Sequence, residues 1–311
     1  MDPKVAVFSS VPDRLLALLR GQLPSSLTLL RRLQFARRDV GTNPHARTIF
    51  ASEDGSLDIR KASKKPKAFA VAHVDLFYSP NTHVFLYSSL ETQEHKPRYA
   101  HEAQLAAVVE TLVRLRREGG LGKRLPGRLI LGSLHSHASA VMERSGRLHR
   151  LPSGRSMVYD KFMFQARNLP RPDHQLPEGM HWGRATLSDC QTVASSTHIP
   201  RSPDLLVKLP NLMIKLQDET PIAWGFIGMD GSLSSLYCED AHRRNGLAQK
   251  LATKLLHENI RCTDGGEGDA WASADVAVDN VAAQSVCRGL NGEKMCSVTW
   301  THLDISDTIS N

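Results

Sequence analysis

The sequence predicts an α/β fold organised as two domains. The chain has 311 residues, a length that fits two domains better than one. Its composition, with 41% hydrophobic and 23% charged residues, is ordinary for a globular protein with a sizeable core. Helical patterns alternate with short apolar runs that are typical of strands. These three observations exclude a disordered chain and a small scaffold that depends on disulfides.

The first half predicts a mixed order of helices and strands. Leucines at three- and four-residue spacing indicate two helices near the start, and the turn SPN joins two apolar runs that should be strands. In chain order we expect helices at 11–21 and 26–37, a loop at 39–67 that ends in KASKKPK, the strands AFAVAHVDLFY and THVFLYSSL, a helix at 99–118 that GGLGKRLPG ends, and the strand RLILGSLH.

The second half is marked more clearly. The polar turn DET separates two strands that should pair as antiparallel neighbours, and MDGS is a second turn before a third strand. In chain order we expect the strand HWGRATL, the helix SDCQTVASST capped at Ser188/Asp189, the strands NLMIKLQ, PIAWGFIGM and LSSLYCE, the helix HRRNGLAQKLATKLLHE, the loop CTDGGEGD, the strand AWASADVAV, a helix at 279–289 and the strand MCSVTWTHL.

A proline-rich stretch suggests where the two domains divide. Residues 167–179 (RNLPRPDHQLPEG) hold three prolines, which break helices and strands alike. We place the boundary there, which gives domains at 1–165 and 176–306.

Charge is distributed unevenly between the halves. Residues 1–150 carry 24 Lys/Arg and 13 Asp/Glu, a balance of +11, while residues 151–311 carry 15 and 19, a balance of −4. A basic half could meet nucleic acid, a membrane surface or its acidic neighbour. Docking on the acidic half is the simplest explanation. Nucleic acid is disfavoured because the half lacks basic motifs interleaved with aromatics, helix-turn-helix spacing and zinc ligands.

The chain shows no signal for a membrane, a secretory route or a metal. No run of about 18 apolar residues occurs, so we expect no membrane partner. Asp2 and Asp13 interrupt the first residues, which lack the features of a secretory signal. His135 and His137 have no nearby ligand partners and are typical of a strand end. We expect a cytoplasmic protein without disulfides or zinc, because five cysteines occur without a CxxC pair: Cys190, Cys238, Cys262, Cys287 and Cys296.

Residues 243–248 (RRNGLA) lie between a predicted strand and a long amphipathic helix. A helix N-terminus leaves backbone N–H groups unpaired and carries partial positive charge, so it favours anions. Gly246 lacks the Cβ that would keep a phosphate from the backbone, and small Ala248 keeps the first turn open. Arg243 and Arg244 add forked donors suited to phosphate. A basic helix start with a glycine for its turn explains the same residues without a ligand.

This order of elements resembles the GNAT superfamily of acyl-CoA N-acyltransferases, in which Q/R-x-x-G-x-G/A binds the pyrophosphate of coenzyme A. The resemblance covers roughly residues 180–302, through PIAWGFIG, SLYCEDAHRRNGLAQKLATKLL, ADVAVDNVAAQSVCRGLNG and VTW. PIAWGFIGMDGSLSSLY is most similar to the glycine N-acyltransferase-like branch. The resemblance implies a C-terminal GNAT fold, a mixed and mostly antiparallel sheet flanked by helices, behind a degenerate α/β half. The loop ETQEHKPRYA of that first half lacks the motif, so we expect it to bind no second cofactor.

Carried over residue by residue, the resemblance implies acetyl-CoA or another acyl-CoA as co-substrate. Main-chain amides of the loop would hold the pyrophosphate, while the strand before it would hydrogen-bond the pantetheine arm and polarise the thioester carbonyl. Asn280 matches a cofactor-contacting asparagine, although a plain helix N-cap, which Asp279 could also supply, explains it equally. The cofactor-binding residues implied are Leu236, Tyr237, Cys238, Arg243, Arg244, Asn245, Gly246, Leu247, Ala248 and Asn280.

Catalysis on an amine needs a base, because an ammonium has no lone pair to attack a thioester. Glu239 is the first choice, since carboxylates near this place serve as the base in some relatives. Asp240, His242 and Asp275 are further candidates. For each of Glu239, Asp240 and His242, an ordinary solvated loop position is the more common explanation. Cys287 stands where many members have a tyrosine that protonates the thiolate. A thiol can donate in principle, but cysteine is also a common buried hydrophobe.

The sequence therefore predicts an N-acyltransferase in which an amine attacks the acyl-CoA directly in a ternary complex. A catalytically silent acyl-CoA-binding module is the alternative that the missing tyrosine favours. The acceptor amine, the acyl-chain length and the oligomeric state stay open. The tryptophans could line an acceptor pocket, although core packing is the usual explanation for the two in predicted strands; the four are Trp182, Trp224, Trp271 and Trp300.

Overall fold

The computed structural model describes residues 2–53, 57, 66, 68–77, 82–92, 99–119, 127–151, 158–197, 201–260 and 270–307. The chain divides into two compact units, Met1–Val158 with Ser297–Asn311, and Tyr159–Cys296. The expected boundary at 167–179 lies one strand later than this division, and the last strand is shared between the units. KASKKPK, GGLGKRLPG, CTDGGEGD and ETQEHKPRYA lie wholly or partly outside the described residues.

Both units alternate strands and helices. Unit 1 contains β1 (Lys4–Phe8), α1 (Asp13–Arg20), α2 (Leu27–Ala36), β2 (Arg47–Ser52), β3 (Phe69–Val74), β4 (Val84–Ser88), α3 (Tyr99–Arg117), β5 (Arg128–His135), α4 (Ser136–Glu143) and β6 (Leu148–His149). Unit 2 contains nearly all of β7 (Val158–Gln165), then β8 (Met180–Gly183), α5 (Leu187–Ser195), α6 (Pro203–Leu206), β9 (Asn211–Leu216), β10 (Pro221–Ile227), β11 (Leu233–Cys238), α7 (Leu247–Ile260), β12 (Trp271–Ala277) and α8 (Val281–Gly289). The shared strand is β13 (Glu293–Asp304).

The sheet of unit 1 has the order β1-β2-β3-β4-β5-β13 and is antiparallel except for the parallel β4–β5 pair. Its two faces are both covered. Phe69 and Val71 pack with leucines of α1 and α2, while the alternate residues Ala70 and Ala72 pack with α3. Burial on both faces explains why these strands read as continuous apolar runs rather than alternating ones.

Unit 2 contains two groups of strands that share one helical cover. The order β11-β10-β9-β8 forms an antiparallel sheet, and β7 lies between β13 and β12. Leu251 and Leu255 of α7 pack in one core with Ile214 of β9 and with Phe164 and Ala274 of the β7–β12 pair. One face of both groups is therefore apolar, and the fold is the expected mixed α/β one with mostly antiparallel strands.

Several local expectations are corrected. β2 is a strand inside the range 39–67, where we expected a loop. The sequence did not predict it because its apolar run of Ile49, Phe50 and Ala51 is short and has polar neighbours. β1, β7 and α4 were not predicted from the sequence. The cap of α5 is Thr186, not Ser188/Asp189: its hydroxyl accepts from the backbone N–H of Asp189, whose carboxylate accepts in return. Trp300 belongs to unit 1, where its ring lies beside Gly132.

Candidate functional site

The strand β11 carries a bulge in the middle of the candidate site. Trp224 pairs with Tyr237 and Phe226 with Ser234, so Gly225 alone opposes two residues of β11. Ser235 within the bulge has φ 50°, a left-handed conformation that is uncommon for a residue with a side chain. Bulges bend the strand that carries them and recur beside active sites. This bulge therefore bends β11 in the middle of the candidate site.

The other edge of β11 is open. Within the described residues β11 meets β12 only through the bridge between Ser232 and Ser273, and no ladder continues from Leu233 onward. An unpaired strand edge presents a row of N–H and C=O groups that an extended ligand with amide bonds can match. The implied role of Leu236, Tyr237 and Cys238 toward a pantetheine arm needs such an edge.

The loop after β11 prepares the N-terminus of α7 for an anion. Gly246 has φ 72°, which only glycine adopts without strain, and a Cβ built there would meet no atom within 4 Å. Across the described part of the chain, the N–H groups of residues 246–249 find no acceptor, and the first bond of the helix runs from Lys250 N–H to the Gly246 carbonyl. Leu247 is buried beneath this turn and Ala248 is partly buried. Free amides beside open space fit a pyrophosphate.

The two arginines of the loop have different roles. Arg243 is held locally: its Nε donates to the Cys238 carbonyl at 2.9 Å, it pairs with Asp240 at 2.6 Å, and it lies over the ring of Tyr237. Tyr237 in turn stacks on Trp224, with 4.8 Å between ring centroids. Arg244 is exposed, has φ 64°, and makes no side-chain bond to any described residue. Of the two, Arg244 has the guanidinium available for a phosphate.

The residues of α8 have clear structural roles. The Asn280 carboxamide oxygen accepts from the backbone N–H of Ala283 at 3.0 Å, so Asn280 is the N-cap of α8. Cys287 is 3% exposed and belongs to the core beneath α7. Burial raises the pKa of the Cys287 thiol to about 12. The thiol therefore stays protonated at neutral pH and is a poor donor to a thiolate of lower pKa.

The expected bases lie at the α7 end of β11. Glu239 directly follows the strand, and its backbone N–H donates to the Ile222 carbonyl at 2.8 Å. Asp240 is exposed and paired with Arg243, and His242 is partly exposed beside it. Asn245 is exposed and donates to the His242 carbonyl. These residues surround the anion loop.

A second group of charges lies near the opposite end of β11. Asp275 of β12 pairs with Lys161 of β7 at 2.6 Å, and both side chains are 7% exposed. Burial lowers the pKa of Lys161, but the Asp275 and Asp230 carboxylates outweigh burial, so the net shift is upward. Asp230 is 5% exposed and accepts from the hydroxyl of Ser232, the residue that bridges to β12. Asp275 is thus a paired carboxylate rather than a free base.

Sequence reasoning missed Asp230, Lys161 and Ser232. The usable signals were a lysine inside the apolar run of VYDKFMFQ and an aspartate in the MDGS turn directly before the strand. Lys161 and Asp230 are recognised as part of the site only once β7 pairs with β12 and β12 bridges to the start of β11. Among the residues described, no group of three or more His, Cys, Asp or Glu could hold a metal ion. No described helix combines the length and hydrophobicity that crossing a bilayer requires.

Comparisons with known proteins bear on the family and the fold of the chain. The family model for the N-terminal domain of the acyl-CoA N-acyltransferase verG matches residues 4–162. A Drosophila protein of known structure aligns with a TM-score of 0.66 and 17% identity, over 97% of this chain and 99% of that one. A GCN5-related N-acetyltransferase from Sphaerobacter thermophilus aligns with a TM-score of 0.54 and 11% identity, over 99% and 98%.

A tandem GNAT protein from the clavulanic acid biosynthesis pathway aligns with a TM-score of 0.52 and 12% identity, over 99% of this chain and all of that one. No curated protein matches the sequence. At these identities the structural likenesses establish the fold, while the family model covers more than half of the chain. The chain belongs to the verG family of acyl-CoA N-acyltransferases, within the GNAT superfamily.

Proposed function

We propose that this protein transfers an acetyl group from acetyl-CoA to an amine by direct attack in a ternary complex. The observation that carries the proposal is the open edge of β11 leading to free amides at residues 246–249. A strand edge and an anion-binding helix start, joined in one segment, suit the two ends of an acyl-CoA arm. The Sphaerobacter relative is described as an N-acetyltransferase, and the clavulanic-pathway relative as a tandem GNAT protein whose structure was solved without acetyl-CoA.

The reaction needs little covalent chemistry from the protein. The lone pair of the neutral amine forms a bond to the thioester carbon, the C–S bond breaks, and the amine proton passes to a base. The thiolate takes a proton from solvent, since Cys287 is buried with a raised pKa. The products are an N-acetyl amide and free CoA. The main contribution of the fold is to hold both substrates in reacting geometry.

The base should lie near the acyl end of the arm. If the pyrophosphate sits at residues 246–249 and the arm runs along β11 back toward its start, the acyl group reaches the end where Ser232 bridges to β12. In that arrangement Glu239, which directly follows β11, would lie beside the pyrophosphate, and Asp230, which accepts from Ser232, would lie beside the acyl group. Glu239 stays a candidate, and we add Asp230 as the carboxylate better placed to receive the proton.

The site assignment is tested with Gly246→Glu. The new carboxylate would enter the open space beside the amides and repel the pyrophosphate, so the Kd for acetyl-CoA should rise at least about 100-fold by calorimetry. Gly179→Glu is the matched control, because Gly179 has φ 79° and equally open surroundings in the same unit but lies outside the loop. Equal affinities for Gly246→Glu and wild type would show that the site lies elsewhere.

A catalytically silent acyl-CoA-binding module is the second candidate, favoured by the buried Cys287 in place of a tyrosine. Release of free CoA from acetyl-CoA, measured with a thiol reagent across a panel of amines, separates the two. Amine-dependent release supports the transferase. Tight binding of acetyl-CoA without release from any amine supports the silent module.

A further inference from the structure

A cavity of about 270 Å³ lies in unit 1, between α3 and the segment that joins α4 to β6. Four of its lining residues follow the three- and four-residue spacing of one helix face, and a fifth comes from the joining segment: Glu110, Val113, Arg114, Arg117 and Arg147. Three of the five are arginines. The cavity shares no residue with the candidate site described above, and it collects part of the positive surplus that residues 1–150 carry.

Arg147 is the most firmly held of the three arginines. It is partly buried, and its Nη1 donates to the carbonyls of Asp304 at 3.3 Å and Ser306 at 3.0 Å. Its own carbonyl accepts from the Asp304 N–H at 2.8 Å. Its Nε and Nη2 donate to no residue in the described part of the chain. One nitrogen of the guanidinium is therefore tied to the protein, while the Nε–Nη2 fork stays available to a partner.

Arg114 and Arg117 bring further donors from α3. Arg117 is exposed and donates from Nε and Nη2 to one oxygen of Asp307, at 3.2 and 3.0 Å, so that its Nη1 has no acceptor among the described residues. Arg114 is exposed and makes no hydrogen bond or ion pair to any described residue, although Glu110 lies one turn away on the same face. Guanidinium donors from two separate segments thus border one cavity.

The end of a helix explains part of this charge. Carbonyls at a helix C-terminus carry partial negative charge and favour arginines in the last turn, where Arg114 and Arg117 lie. That explanation does not include Arg147, which comes from another segment. Two carboxylates, Glu110 and Asp307, lie near the three arginines of the cavity. An excess of positive charge therefore remains there.

We infer that this cavity binds a small phosphorylated molecule, whose phosphate is held by Arg147 and Arg114 and whose hydroxyl groups donate to Glu110. Forked guanidinium donors match phosphate oxygens. A phosphate carries up to two negative charges at neutral pH, so it offsets more of the excess than a carboxylate does. The volume is at the small end of ligand pockets and suits a molecule smaller than a drug-sized one. The inference does not depend on the proposed function.

Binding of glycerol 3-phosphate tests the inference, with glycerol as its uncharged partner. Calorimetry on the full chain should give a Kd below about 1 mM for glycerol 3-phosphate and no detectable binding of glycerol. Arg114→Gln should raise the Kd at least about tenfold, and Arg147→Gln should raise it further because its fork is fixed in place. Arg144→Gln is the charge-matched control, since Arg144 pairs with Glu102 at 2.6 Å and does not line the cavity. It should change the Kd by less than about twofold.

Thermal unfolding separates ligand binding from a structural role. Arg147→Gln loses the bonds to the Asp304 and Ser306 carbonyls and should have a lower Tm than the wild type. Arg114 makes no bond to a described residue, so Arg114→Gln should keep the wild-type Tm and carries the test if Arg147→Gln does not fold. Glycerol 3-phosphate should raise the Tm of the wild type and of Arg144→Gln but not that of Arg114→Gln.

The free amides at residues 246–249 also suit a phosphate, so the titration is repeated with saturating CoA. Binding at the cavity should persist there with the same dependence on Arg114 and Arg147. A Kd above about 1 mM for the wild type would overturn the inference. Equal affinities of the wild type, Arg114→Gln and Arg147→Gln would also overturn it, and displacement by CoA would then place the phosphate at 246–249. Equal losses in Arg114→Gln and Arg144→Gln would show attraction to net charge alone and overturn it as well.

Discussion

The two units differ most in the segment that comes directly after a comparable strand. In unit 1 the backbone after β4 closes on itself: the Ser88 N–H donates to the Glu91 carboxylate, the Leu90 N–H donates to the Ser88 hydroxyl, and Leu90 is fully buried. In unit 2 the backbone after β11 stays exposed, and two of its residues, Arg244 and Gly246, are left-handed. Within the described residues, therefore, the backbone directly after β4 has amides that are already satisfied, whereas the start of α7 has amides that are free.

The difference teaches that free donors and open space must coincide. The Ser88 and Leu90 N–H groups are satisfied within the chain, so these two amides are not available to a phosphate as those at the start of α7 are. The units also keep their buried polar groups in different places. Unit 1 has a buried Arg32–Asp75 pair inside its core. Unit 2 has a buried Lys215–Asp189 pair between β9 and α5 and further buried charges near the start of β11. Substitutions and acidification can test this contrast, from the largest expected effect to the smallest.

The largest effect should come from the carboxylate beside the acyl end. Asp230→Asn keeps the acceptor oxygen for Ser232 but removes the base, so kcat should fall about 100-fold or more. Glu239→Gln is the matched comparison. It should lower kcat by less than about fivefold, because Glu239 follows the end of β11 that leads to the anion loop and would be far from the acyl group. Steady-state rates of CoA release measure both. A larger loss in Glu239→Gln would return the base to the α7 end of β11.

Acidification should destabilise unit 1 before unit 2. Burial lowers the pKa of His83 from 6.5 to about 4, so the unfolded chain binds this proton more readily than the folded chain does between those values. The contribution of His83 to the free energy of unfolding is fully present above pH 6.5 and is lost as the pH falls toward 4. The loss amounts to about 3 kcal/mol. Hydrogen exchange at pH 7 and pH 4.5, corrected for the intrinsic exchange rate at each pH, should show lower protection of β4 and β5 at pH 4.5. This loss of protection should be smaller in His83→Gln.

His73 should add to the same acid sensitivity, because burial and the Arg32 cation both lower its pKa. Its Nδ1 lies 3.0 Å from the Thr48 hydroxyl in the core of unit 1. Equal acid sensitivity in the strands of the two units would contradict the contrast between their cores.

Cys287→Ala should affect stability more than rate. Removing a buried sulfur from the core beneath α7 should lower the free energy of unfolding by about 1–2 kcal/mol. The kcat should change less than about threefold, since a thiol with a pKa near 12 donates poorly. Urea denaturation and CoA release measure the two quantities. A rate loss beyond about tenfold in a folded variant would assign Cys287 the acid role.

The smallest effect should come from the cap of α8. Asn280→Ala removes the acceptor for the Ala283 N–H and should cost about 1 kcal/mol of stability, while Asn280→Asp keeps the acceptor and should cost almost nothing. If Asn280 also contacts the co-substrate, both variants should raise the Kd for acetyl-CoA. An unchanged Kd in both would leave Asn280 as a cap alone.

Much of unit 2 could be predicted because its signals are local. The turn DET sets the β9–β10 pair, the leucines of α7 define its buried face, and RRNGLA places a flexible glycine at a helix start. Each depends on residues that are close in the chain, where turn chemistry and helical period act directly. The element order and the anion loop were therefore accessible without a structure.

Tertiary structure decided the rest. β2 is a strand because neighbours far along the chain pair with it on both sides, and Thr186 rather than Ser188 caps α5 because of where the backbone turns. Asp230 looks like an ordinary turn residue until folding buries it beside Ser232, the residue that bridges to β12. The sequence by itself determined the family motif and the order of elements, through short-range pattern. Only the fold decided which strand edge stays open and which charged side chains become buried, because those depend on contacts between residues far apart in the chain.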